Sequence, residues 1–61
     1  MKEYENIKHL VAVIEEDVIK FSEKGNAAAG TRVRKGLQEI KRACQEMRDA
    51  IQEAKKTEES N

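Results

Sequence analysis

The chain predicts an all-α fold: an antiparallel two-helix hairpin that dimerises into a four-helix bundle. Three observations point there. Two apolar heptad patterns run through the sequence without sharing a register. A Gly25-Asn26 pair stands between them. And 61 residues are too few to bury a core of ordinary size.

The first pattern steps through Tyr4, Ile7, Val11, Ile14, Val18 and Phe21. The second steps through Val33, Leu37, Ile40, Cys44, Met47, Ile51 and Ala54, with Gly30 one step before. Continuing the first would place Gly25, Ala28 and Arg32 on the seam, an offset of five residues from the second. A continuous coiled coil absorbs insertions of about three or four, so Gly25-Asn26 reads as a chain reversal. The whole chain is then one helical-hairpin domain, residues 1–61.

The first helix is expected from about residue 3 to 24. Lys20 and Lys24 suit the negative end of its dipole, and Gly25 supplies a left-handed cap. Asn26 can cap the second helix by accepting from the amide of Ala28 or Ala29. That helix is expected from about 27 to 55. Residues 57–61 are polar and acidic and read as a disordered tail.

Reversal at the turn pairs Phe21 with Gly30, Val18 with Val33, Ile14 with Leu37, Val11 with Ile40, Ile7 with Cys44 and Tyr4 with Met47. Bulk meets space at Phe21 and Gly30. Ala29, Gly36, Ala43 and Ala50 recur every seven residues beside this seam, a small-residue ridge that lets another helix come close. Leu10, Val13 and Ile19 lie off the seam and ask for a wider buried face than a lone hairpin has. Ile51 and Ala54 have no partner in the same chain. At about 25 cal/mol per Å² of burial against roughly 1.5 kcal/mol per ordered residue, so small a chain gains little alone. A homo-oligomer, in the simplest case a dimer, is the expected remedy.

Charged residues make up 39% of the chain and the net charge is zero, but the signs are segregated. Residues 1–24 carry −2, residues 25–48 carry +4 and residues 49–61 carry −2. Arg34, Lys41, Arg48 and Lys55 share one heptad position, with Gln38, Gln45 and Gln52 between them. Arg32, Lys35 and Arg42 flank that stripe. Arginine forks onto phosphate oxygens, and the free amides at the start of the second helix also attract anions. The stripe reads equally as an anion-binding surface or as a solvated face balanced by Glu39, Glu46 and Asp49.

Enzyme signals are weak. Gly25-x4-Gly30-Thr31 lacks the P-loop lysine and follows a helix rather than a strand. His9 reads as an exposed helix residue, Glu15, Glu16 and Asp17 as a solvated run, and Cys44 as a small buried hydrophobe in a reducing compartment. No catalytic residues, metal ligands, cofactor or small-molecule substrate are expected. No apolar run reaches membrane-spanning length, so no membrane association is expected and the location is taken as cytoplasmic.

The run Lys24-Gly25-Asn26-Ala27-Ala28-Ala29-Gly30-Thr31-Arg32-Val33-Arg34-Lys35, followed by Leu37-Gln38-Glu39-Ile40, resembles the bacterial linker-histone-like nucleoprotein family first recognised in chlamydiae. The Lys-Gly-Asn turn, the paired alanines and Arg32-x-Arg34 carry the resemblance, which covers about half the chain. It implies a nucleoid-associated DNA-binding protein and points to Arg32, Arg34 and Lys35 as phosphate contacts. Lys41 and Arg42 extend that set along the basic cluster. Family members often continue into a Lys- and Ala-rich tail, whereas Thr57-Glu58-Glu59-Ser60-Asn61 is acidic. The expected DNA binding is therefore sequence-independent and weak to moderate. The rival reading is a helical dimerisation or protein-interaction module without DNA binding.

Overall fold

The computed structural model describes residues 1–59. Two helices, α1 (Lys2–Lys24) and α2 (Ala27–Glu59), make up its regular structure, and no strand occurs among the described residues. They pack against each other side by side. The chain measures 55 × 15 × 12 Å, with a radius of gyration of 15.6 Å. A compact chain of this length would have a radius near 10.5 Å, so the molecule is a rod.

Each boundary has a local cause. Glu3 and Glu5 lie in the first turn of α1 and Lys24 in its last, both in favourable positions for the helix dipole. Gly25 takes φ 63° and ψ 26°. Its N–H donates to the carbonyl of Phe21 at 3.0 Å, and the N–H of Asn26 donates to that of Lys20 at 3.3 Å. Asn26 then starts α2: its Oδ1 accepts from the amide of Ala29 at 3.0 Å. One residue stops a helix and the next begins another, which turns the chain back on itself.

At its far end α2 outruns the expectation. It continues past Lys55 to Glu59, so residues 57–59 of the expected tail are helical; Ser60 and Asn61 lie outside the described residues. No Gly or Pro follows Gly36, and the Ala, Lys, Gln and Glu residues of this stretch are good helix formers.

The contact between the helices also differs from the expected seam. Phe21 does lie over Gly30: a methyl group built there would sit 2.8 Å from the Phe21 ring. Ile14, however, lies on Gly36 rather than Leu37, so closely that a side chain at position 36 would collide with its Cγ2. The half-buried positions are Glu3, Ile7, Leu10, Ile14, Asp17 and Lys20 on α1. On α2 the buried and half-buried positions with described side chains are Ala29, Gly30, Val33, Gly36, Ile40, Ala43, Met47 and Ala50. The small-residue ridge thus enters the seam beside Val33, Ile40 and Met47 and takes the place expected for Leu37, Cys44 and Ile51. A helix face without side-chain bulk admits the closest approach, and that rotates both helices away from the expected pairing. Tyr4, Val11, Val18, Leu37 and Ile51 are exposed as a result. Cys44, expected to be buried, is exposed too.

Candidate nucleic-acid interface

Helical geometry sorts the cations of α2 into two groups. Arg34 and Lys41 are seven residues apart and share one side. Lys35 and Arg42 form a parallel row about 100° round the helix. Arg48 and Lys55 continue the first row, so Arg34 to Lys55 spans ~32 Å at about 1.5 Å per residue. All six are exposed. None makes an ion pair or a side-chain hydrogen bond with the described residues. Thr31, Arg34, Lys35 and Gln38 border one shallow surface hollow. Gln45, Arg48, Asp49, Ile51, Gln52 and Lys55 border another. The Asp49 carboxylate accepts from the Gln45 amide at 2.9 Å, which gives it a partner other than the arginines.

Arg32 stands apart. It is two residues from Arg34 and therefore points to nearly the opposite side of α2. Its Nε and Nη2 donate to the two carboxylate oxygens of Asp17 at 3.1 and 2.9 Å. This fork ties α2 to α1 one turn before Phe21. Hydrogen bonding from Arg32, opposed by partial burial and assisted by the charges of Arg32 and Lys20, holds the Asp17 carboxyl below its ordinary range. The same bonds raise the Arg32 guanidinium above its usual value. Of the five residues expected to meet phosphates, the structure gathers Arg34, Lys35, Lys41 and Arg42, and it separates Arg32 from them. Sequence reasoning had left Asp17 in a solvated acidic run. In the structure it falls on the face of α1 that looks at α2, level with Arg32; the expected seam ran through its neighbour Val18 and left Asp17 outside.

The arrangement leaves several cations exposed on the outer surface of α2. No group of three or more His, Cys, Asp or Glu placed to hold a metal occurs among the described residues. No described side chain carries a buried polar atom without a partner. His9 is exposed. No described helix is long and apolar enough to cross a membrane.

Neither a curated protein nor a solved structure matches this chain. Residues 1–57, which include both helices' contact and all the cations of the outer rows, do match a family model described as "Histone H1-like protein Hc1". With nearly its whole length matched, the chain belongs to the Hc1 histone H1-like family, whose role is that of a DNA-binding nucleoid protein.

Proposed function

We propose that the chain binds duplex DNA without regard to sequence, through phosphate contacts from the outer surface of α2, and that it does so as a self-associated hairpin. The observation that carries this is the row of cations without carboxylate partners among the described residues: Arg34 and Lys41, flanked by Lys35 and Arg42. Cations left unpaired on a rigid, exposed helix are ready to replace the counterions of a phosphate backbone. No base-reading is needed for such contacts. Arg32 enters as a weaker contact, because its fork is already occupied by Asp17.

Anisotropy of a labelled random-sequence duplex, titrated with the full chain at several salt concentrations, tests this. Affinity is expected to fall as salt rises. The double variant Arg34→Gln and Lys41→Gln is expected to flatten the log–log salt dependence by roughly two phosphate contacts' worth, about 0.9 each. Binding that ignores salt, or that the double variant leaves unchanged, refutes the reading. The second reading, a helical interaction module without DNA binding, draws on the uncovered apolar residues Val11, Leu37 and Ile51. It gains if self-association persists in a chain that fails to bind DNA at low salt.

A further inference from the structure

We infer that α2 seats lengthwise in the major groove of duplex DNA, with the Gln38 amide on the base edges and the four cations around it on the phosphates of both strands. This rests on the phosphate reading above and adds to it a groove and a depth, neither of which that reading requires.

Gln38 stands at the centre of a ring. Arg34 and Lys35 come four and three residues before it, and Lys41 and Arg42 three and four after it. Those spacings mark the surface neighbours of a helical residue. At about 100° per residue, Arg34 and Lys41 fall ~40–60° to one side of Gln38, and Lys35 and Arg42 fall as far to the other. All five side chains are exposed. None of the four cations is ion-paired among the described residues. The Gln38 amide likewise makes no hydrogen bond with them. Thr31, Arg34, Lys35 and Gln38 open onto one surface hollow. Gln38 also lies about 160° round the helix from Gly36, which is packed against Ile14 of α1. Helix α1 is therefore behind the ring and out of the way of a partner.

Width and charge choose the groove. A helix that follows one strand from outside needs a single row of cations, and a neutral ridge between two rows has no task there. The minor groove, about 6 Å wide, is too narrow for a helix of ~10–12 Å, whereas the major groove, about 12 Å wide, admits one. In the major groove the middle of the outer face meets base edges and the two flanks meet the two backbones. A glutamine amide both donates and accepts, and every base pair offers donors and acceptors on that side. The contact is thus tolerant of sequence, in keeping with the reading above. The seat is short. One heptad on, Gln45 already donates to Asp49 at 2.9 Å. Asp49 stands where a third cation would continue the row of Lys35 and Arg42, and its charge repels a backbone. The seat runs from Arg34 to Arg42, ~12 Å along the helix.

The test compares two duplexes of one sequence, the second with its cytosines replaced by glucosylated 5-hydroxymethylcytosine. The sugar fills the major groove and leaves the phosphates and the minor groove unaltered. By anisotropy at about 0.1 M salt, the full chain is expected to bind the glucosylated duplex about tenfold or more weaker, the worth of at least one lost phosphate contact. Gln38→Ala puts a good helix former at an exposed position. It is expected to lose about threefold on the plain duplex, the worth of one hydrogen bond, and nothing on the glucosylated one. Equal affinity of the parent for the two duplexes overturns the inference and leaves the phosphate reading standing. So does an unchanged affinity of Gln38→Ala for the plain duplex. Failure to bind the plain duplex even at low salt defeats both.

Discussion

The two helices bring opposite material to one contact. α1 supplies bulk: Ile7, Leu10 and Ile14 lean on the partner helix, and Phe21 lies across Gly30. α2 supplies space: Ala29, Gly36, Ala43 and Ala50 form its inner row. Outside the contact, residues 1–24 carry a net negative charge and residues 25–48 a net positive one. The difference teaches how so short a chain divides its work. A helix that packs with its smallest residues can sit close to its neighbour without spending large side chains there. Its remaining circumference is then free for cations on one side and an apolar row on another.

The most damaging way to break this asymmetry is to give α2 bulk on its inner row. Gly36→Val places two methyl groups against Ile14, whose Cγ2 already fills the space. The branch of Ile14 sits at its Cβ and cannot swing away as a long chain end would. Overpacking of this kind costs about 1–3 kcal/mol, more than the roughly 0.5 kcal/mol of helix propensity that valine recovers over glycine. Thermal melts followed by circular dichroism, at one fixed chain concentration, should show the loss.

Next in size is the turn. A side chain at Gly25 meets nothing within 4 Å, so Gly25→Ala isolates the backbone cost of φ 63°. About 1 kcal/mol of destabilisation is expected, with Gly25→Asn milder, because asparagine tolerates the left-handed region better. Equal melts for the two variants and the parent would show that the αL turn does not hold the helices in place.

The smallest effect belongs to the fork between Asp17 and Arg32. Because the folded-state pKa of Asp17 lies below its ordinary value, its contribution to stability is present above the usual aspartate value of about 3.9. It is lost as pH falls through the lowered one. The parent should therefore melt slightly higher than Asp17→Asn at neutral pH, and the gap should close in strong acid. High salt should narrow it too, since both side chains meet solvent. A gap that widens on acidification would contradict the assignment.

How far these features could be read beforehand depended on whether they were local. The reversal at Gly25-Asn26 and the Asn26 cap are set by neighbours in sequence, and both were legible. So was Phe21 over Gly30, because it lies next to the turn, where a small error in helix rotation has little effect. Ile14 over Gly36 was not. Apolar periodicity favours large residues as the seam, and on that criterion Leu37 and Cys44 outrank Gly36 and Ala43. The competing rule is that helices approach most closely where side chains are smallest, and here it prevailed. The separation of Arg32 from Arg34 follows from helix geometry alone, since residues two apart point to nearly opposite sides, whereas a linear Arg-x-Arg motif had suggested that they would act together. The end of α2 was misjudged for another reason: polarity was read as disorder where no residue breaks the helix.

Among the described residues only Ala29 and Ala43 are buried, and each contributes a single methyl group. With so few buried groups the rod has little stability in reserve, so each contact on the inner row of α2 weighs heavily against unfolding.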